Sequence, residues 1–277
     1  VPDNTATELA AQAAAALERL RQAAPLVHNI TNVVVANVTA NALLAAGASP
    51  AMVQAAEEVA DFAPRAAALV VNIGTLSVPQ LRAMRLAVPA ARAAGRPWVL
   101  DPVAAGATPF RLAAAREMAA LRPDVLRGNA SEILALAGED GAASRGVDSA
   151  HPTAAAHAAA ARLARSTGAT VAVTGAVDHV TNGERAVAVA NGHPLLTRVT
   201  GMGCTATALI GAFLGAGLPP MEAATAGLAL LGVAAERAAA EARGPGSFQV
   251  ALLDALHGLR AADLAGAARL APVPAGG

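Results

Sequence analysis

The sequence predicts an α/β fold with a mostly parallel sheet and an antiparallel edge. Three observations carry that expectation. Up to residue 174, short apolar runs rich in valine alternate with longer helical segments, the rhythm of strands joined by crossover helices. Between residues 177 and 198, three short β-type runs are split by Asn182-Gly183 and Asn191-Gly192, dipeptides that favour tight hairpins. From Gly203 onward the pattern is helical almost throughout.

Residues 4–24 read as a helix that stops before Pro25, and 26–30 as a short buried strand. Residues 33–46 are helical in pattern and end at Gly47, a residue type that suits a helix C-terminus. A short strand follows at 51–53, then a helix at 57–65 with acidic residues in its first turn. The apolar run 68–73 reads as a strand buried on both faces. A helix over 79–94 starts at Pro79 and stops at Gly95. The next strand, 97–100, carries Asp101 at its carboxyl end. A helix at 110–120, a strand at 124–126, helices at 130–136 and 153–166, and a strand at 170–174 complete the alternation. The β-type runs are 177–181, 185–190 and 194–198; the last helices are 204–216, 220–242 and 248–260; residues 272–277 read as a loose tail. With no linker and no internal repeat, residues 1–277 form one expected domain.

Composition removes several function classes. All 20 basic residues are arginine, they are balanced by 20 acidic ones, and aromatics make up only 2%, so nucleic-acid binding is not expected. A hydrophobic share of 55% with 14% charge excludes a disordered chain. Without lysine there is neither a P-loop nor a pyridoxal Schiff base. Alanine exceeds a quarter of the chain, which looks like coding bias; it favours helix and says nothing of function. A single cysteine, Cys204, excludes internal disulfides and cysteine-based zinc sites and points to a cytosolic setting. Glu8, Glu18, Arg19 and Arg21 argue against a secretory signal. The uncharged stretch 199–221 is broken by Pro219-Pro220, and its helical part is too short to span a bilayer, so no membrane partner is expected.

In parallel α/β sheets ligands gather at the carboxyl ends of strands. Polar residues cluster at those ends: His28, Asn29, Thr31 and Asn32; Asn72 and Thr75; Asp101; Arg127 and Asn129; Thr174. Four segments there are able to carry chemistry, each with a plainer alternative. Thr200-Gly201-Met202-Gly203-Cys204-Thr205 precedes an apolar helix, whose glycines and N-terminal N–H groups suit an anion; Cys204 in the first turn is expected to have a lowered pKa. The alternative is a tight turn beside a small buried cysteine. Asp101, before a glycine-containing loop, suits a water-mediated Mg²⁺ contact or simply a turn cap. In Arg127-Gly128-Asn129-Ala130-Ser131-Glu132, Arg127 offers a guanidinium to phosphates and Glu132 is placed to share a metal with Asp101; the alternative is a helix capped by Asn129. His28-Asn29-Ile30-Thr31-Asn32 reads either as a small-ligand site or as loop hydrogen bonds around a satisfied histidine. The remaining histidines, His151, His157, His179, His193 and His257, show no ligand spacing and read as surface or structural, and Trp98 reads as core.

Taken together, six segments resemble the hydroxyethylthiazole kinase family of thiamine biosynthesis: VHNITNVVVANVTANALLAAGASPAM (27–52), LVVNIGTL (69–76), VLDPVAAGATPFR (99–111), LRGNASEI (126–133), VAVTGAVDHVTNG (171–183) and VTGMGCTATALIGAFL (199–214). They fall in order across nearly the whole chain. The resemblance implies a ribokinase-like three-layer αβα sandwich and transfer of the ATP γ-phosphate, with Mg²⁺, to the hydroxyl of 4-methyl-5-(2-hydroxyethyl)thiazole. By position it implies that Asn32, Met52 and Gly201 meet the thiazole, that Arg127, Thr174, Asn129 and Gly203 meet ATP, and that Asp101 and Glu132 organise Mg²⁺. Cys204 falls where related sugar kinases carry an aspartate base. A homotrimer with thiazole sites between subunits is likewise implied. Ala104 departs from the family pattern, where many members have glycine, and Met202 fills a variable place. Three rival readings remain: another ribokinase-like enzyme, such as a hydroxymethylpyrimidine kinase or an ATP-dependent hydrate dehydratase; a cysteine-nucleophile hydrolase, which would need a base beside Cys204; and a non-catalytic thiazole-binding protein.

Overall fold

The computed structural model describes residues 4–138 and 153–273. The alternation ends in a nine-stranded sheet. In chain order the elements are α1 (Asn4–Ala23), β1 (Leu26–Ile30), α2 (Ala36–Ala46), β2 (Ser49–Ala51), α3 (Val59–Phe62), β3 (Ala68–Asn72), α4 (Val78–Ala93), β4 (Trp98–Asp101), α5 (Pro109–Ala120), β5 (Val125–Asn129) and α6 (Ala130–Leu136). They continue with α7 (Thr153–Thr167), β6 (Thr170–Thr174), β7 (Asp178–Thr181), β8 (Ala186–Val189), α8 (Met202–Gly215), α9 (Pro220–Glu241), α10 (Pro245–Gly258), α11 (Ala261–Ala267) and β9 (Leu270–Val273). The strand order is β2-β1-β3-β4-β5-β6-β7-β8-β9. Pairings from β2 through β6 are parallel, and those from β6 through β9 are antiparallel.

Because successive side chains in a strand point to opposite faces, the apolar runs feed two cores. Val27, Val70, Val99, Val125 and Ala172 pack with α1, α2 and α8–α11 on one side. Leu69, Val71, Trp98, Leu100, Leu126 and Val171 pack with α3–α7 on the other. The result is a three-layer αβα arrangement. Helix α8 crosses the sheet closely: a Cβ at Gly211 would stand 2.5 Å from Val70 Cγ2. Among the described residues α9 alone is long and apolar enough to cross a bilayer, and most of it is buried inside the protein.

Several expectations need correction. The helix expected from residue 33 begins at Ala36, leaving Val33 and Val34 exposed in a turn. The strand expected at 51–53 lies at Ser49–Ala51, where it pairs with Leu26–His28. The helix expected at 57–65 shortens to α3 followed by a 3₁₀ turn, Ala63–Arg65, that contains Pro64. Asn182-Gly183 does turn a hairpin, joining β7 to β8. Asn191-Gly192 does not: Asn191 is buried, its Nδ2 donates to Glu236 and to the Ala267 carbonyl, and its Oδ1 accepts from Arg269 N. Residues Pro194–Arg198 then form a 3₁₀ turn, Pro194 having no N–H for a ladder. The strand beside β8 comes from the C-terminus instead, so Pro272 and Val273 belong to β9 and not to a tail. The expected tail residues 274–277 and His151 lie outside the described residues.

Candidate active site

Parallel register brings the strand ends into one row. Asn72 stands beside Asp101, and Asn129 beside Thr174. Asp101 is fully buried. Its Oδ2 accepts from Asn72 Nδ2 at 2.8 Å and from Thr207 Oγ1, on α8, at 2.9 Å. Its Oδ1 is buried, receives no nitrogen or oxygen hydrogen bond from the described residues, and faces Arg127 Nη1 at 3.9 Å. Burial pushes the Asp101 carboxyl above its ordinary pKa, and Arg127, Thr207, Asn72 and the Cys204 thiol oppose that shift.

From Asp101 a chain of amides leads to the cysteine. Asn72 Oδ1 accepts from Asn32 Nδ2 at 2.9 Å, and Asn32 Nδ2 also stands 3.6 Å from Cys204 Sγ. Helix α8 begins two residues before the expected start, so Gly203 and Cys204 sit in its first turn, where backbone N–H groups lack intrahelical acceptors. Gly201 caps it at φ 84°, a conformation that costs other residues strain, and its open α-carbon lies against Val35. The expectation of a lowered thiol pKa is overturned. Burial and the neighbouring Asp101 charge push Cys204 up to about 12, against Asn72, Arg127 and Asn32, so desolvation outweighs the helix end.

The other half of the site centres on Arg127. Its Nη2 donates a short hydrogen bond to Thr174 Oγ1. Its Nε is buried and without a partner among the described residues. A Cβ at Gly203 would stand 2.5 Å from Arg127 Nη1, so the glycine turn and the guanidinium are in contact. Asp178, at the start of β7, accepts from Gly175 N at 2.9 Å. Burial raises its carboxyl to about 6, with the Gly175 N–H and Arg127 pulling the other way. Glu132 Oε2 accepts from Asn129 N at 2.8 Å while Asn129 Oδ1 accepts from Glu132 N at 3.0 Å, a reciprocal cap that starts α6. Glu132 Oε1 accepts from Ala104 N at 2.7 Å. Burial and the Asp101 charge both raise the Glu132 pKa, against Arg127 and the two backbone donors.

Residues 17–262 match the hydroxyethylthiazole kinase family. The chain belongs to that family. It is 60% identical over 253 residues to the hydroxyethylthiazole kinase of Granulibacter bethesdensis, covering 91% of this chain and 92% of that one. The structure of hydroxyethylthiazole kinase from Pyrococcus horikoshii OT3 superposes with a TM-score of 0.87 at 47% identity, over 94% of this chain and 98% of that one. A ribokinase-like superfamily protein from Enterococcus faecalis V583 shares the fold alone, with a TM-score of 0.61 at 12% identity over 85% of this chain and 88% of that one.

In this member of the hydroxyethylthiazole kinase family, the contacts above bring together nine of the ten residues singled out from the sequence: Asn32, Asp101, Arg127, Asn129, Glu132, Thr174, Gly201, Gly203 and Cys204. Gly201 is linked through the turn before α2 that follows Asn32. Met52 follows the edge strand β2, on the far side of β1 from Asn72. The His28–Asn32 segment divides between loop scaffolding and the amide chain. His28 Nε2 donates to Val53 O at 2.8 Å and Asn29 Nδ2 to Val27 O, which is scaffolding, whereas Asn32 enters the amide chain. Thr207 and Asp178 were missed as site residues, and Asn72 was named at its strand end without a role. Asn72 is recoverable from the alignment of two adjacent strand ends, and Thr207 from its place three residues after Cys204 on an otherwise apolar helix face.

Proposed function

We propose that the protein transfers the γ-phosphoryl group of ATP to the hydroxyl of 4-methyl-5-(2-hydroxyethyl)thiazole. The observation that carries this reading is one corner of the sheet where the glycine turn of α8, the Arg127 guanidinium and the buried Asp101 meet. In transfer, the bond from γ-phosphorus to its bridging oxygen breaks, the bond to the alcohol oxygen forms, and ADP leaves. Such a transition state demands positioning and charge neutralisation more than covalent help. The N–H groups at the start of α8 and Arg127 offset the phosphoryl charge. Thr174 orients Arg127, Asn129 sets the helix start beside the nucleotide, and Asn32, Met52 and Gly201 bound the alcohol's place. Cys204, held as a thiol by its raised pKa, is a poor proton acceptor, and the proton of the alcohol passes to solvent water as ADP leaves.

The residues present fit a divalent cation. Asp101 Oδ1 is a buried oxygen with no hydrogen-bond partner among the described residues, burial raises the proton affinity of both Asp101 and Glu132, and the Asp101 charge raises that of Glu132 further. Among the described residues no three His, Cys, Asp or Glu side chains gather into a metal cage, which suits Mg²⁺ held by one or two carboxylates plus substrate phosphates. Asp101 and Glu132 would hold it, directly or through water, and it would supply charge neutralisation at the phosphates.

The depression of about 440 Å³ beside the ends of β1, β2 and β3 is bordered by the exposed Val33 and Val78. We read this apolar rim as the face that a second subunit covers in a homotrimer. The one free thiol fits a cytosolic setting. The test is an ATP-consumption assay over a panel of thiazole and pyrimidine alcohols, with and without Mg²⁺. The expected result is Mg²⁺-dependent turnover of the hydroxyethylthiazole; turnover of a pyrimidine alcohol alone would move the assignment to the rival kinase.

A further inference from the structure

Three backbone carbonyls from two different loops converge on one guanidinium. Arg111 Nη1 donates to Ile73 O at 2.7 Å and to Val103 O at 3.1 Å, and Arg111 Nη2 donates to Gly74 O at 2.5 Å. Ile73 and Gly74 belong to the loop after β3, and Val103 to the loop after β4. Arg111 is itself held in place, because Thr108 caps α5 by accepting from Arg111 N at 3.2 Å and Pro109 occupies the first turn. A cation in the first turn of a helix opposes the helix dipole, so α5 gains nothing from it. Its use lies in the two loops.

Each loop leads directly to a proposed functional side chain. Gly74 N donates to Asn72 Oδ1 at 2.9 Å, and an ideal Cβ on Gly74 would fall 2.4 Å from Asn32 Nδ2. The loop after β3 is therefore pressed against Asn32. The neighbour of Val103, Ala104, donates to Glu132 Oε1. The loop after β4 is therefore tied to the carboxylate pair. We propose that Arg111 is a positioning residue that fixes the spacing between the alcohol side of the site and the metal side. Four N–H groups in a rigid planar fork can serve three carbonyls at once, which a lysine ammonium on a flexible stem does less well. This inference rests on the thiazole kinase reading above.

The test compares wild type with Arg111→Ala and Arg111→Lys. Equilibrium binding of the thiazole alcohol is measured without ATP or metal, then kcat, both KM values and the Mg²⁺ dependence. For Arg111→Ala, thiazole affinity falls about tenfold and the Mg²⁺ concentration giving half-maximal rate rises about as much, while the KM for ATP moves by less than about twofold. Added guanidinium ion partly restores kcat in Arg111→Ala and not in wild type, and Arg111→Lys lies between the two. If Arg111→Ala does not fold, Arg111→Lys carries the same split on a smaller scale. A fall in kcat that tracks only the folded fraction, with thiazole affinity and Mg²⁺ dependence unchanged, would overturn the proposal. If wild type binds the thiazole alcohol but does not phosphorylate it, the kinase reading fails by itself, and the binding comparison still decides whether Arg111 shapes the alcohol side.

Discussion

On the side of β1 and β3 the site is made of neutral amides that satisfy one another. Asn32 bonds Asn72, and Asn72 bonds both Asp101 and the Gly74 backbone. On the side of β5 to β7 it is made of charges with unmet capacity: Arg127 Nε has no partner among the described residues, and Arg127 Nη1 stays 3.9 Å from Asp101. The first half is pre-organised and needs nothing further to be stable, which suits a small neutral alcohol. The second half remains incomplete until a polyanion and a cation arrive, which suits a nucleoside triphosphate. If that contrast is right, substitutions in the two halves fail differently.

The largest effect belongs to the charged half. Arg127→Met should lower kcat/KM by about 10³, the scale seen when a donor to developing charge is removed. Thiazole binding without nucleotide should stay within about twofold. Single-turnover rates and equilibrium binding separate the two, and an equal loss of thiazole affinity would erase the division between the halves.

In the amide half, stability suffers along with binding. Asn72→Ala leaves the Asn32 amide, the Gly74 N–H and one bond to the buried Asp101 unmade, at a cost of about 2–3 kcal/mol. Urea unfolding should show that loss as a lower midpoint with an unchanged slope, and the KM for the thiazole should rise more than the KM for ATP.

What the sequence made legible follows the same division. Asp101, Arg127 and Glu132 stand out because charged residues at the ends of buried strands are rarely idle. The amide chain was harder to see, since Asn32 and Asn72 lie 40 positions apart and meet only through strand register. Thr207 was hidden within an apolar helix. The Cys204 expectation failed because a helix N-terminus lowers a thiol pKa only where the thiol is solvated, and here burial and Asp101 prevail. The same kind of non-local override undid the Asn191-Gly192 hairpin. The dipeptide signals a turn locally, but Glu236 on α9 and Arg269 before β9 captured Asn191, and a C-terminal strand took the place beside β8. Local periodicity located most elements in the alternating part of the fold, and contacts distant in sequence decided the exceptions.

A smaller effect is expected where the two halves touch. With its pKa at about 12, Cys204 carries almost no thiolate at neutral pH and is a poor base. Cys204→Asp should keep or improve single-turnover transfer, and Cys204→Ala should weaken it without abolishing it. A Cys204→Asp variant that bound both substrates but lost turnover would give the thiol a specific role.

The smallest expected effect is a pH dependence of stability on the charged side alone. Burial holds the Asp178 carboxyl at about 6, above the value of about 3.9 that it takes in an unfolded chain. Between those two values the native protein keeps a proton that the unfolded chain has released. Stability from this group is therefore full below about pH 4 and is lost as pH rises through about 6. Asp178→Asn removes that slope, so urea midpoints measured from pH 4 to 7.5 should be flatter in the variant and higher than wild type at the upper end. No such flattening should follow from Asn32→Ala, whose surroundings are amides and a thiol that do not titrate in that window. A flattening in both variants would mean that the two halves share one electrostatic environment after all.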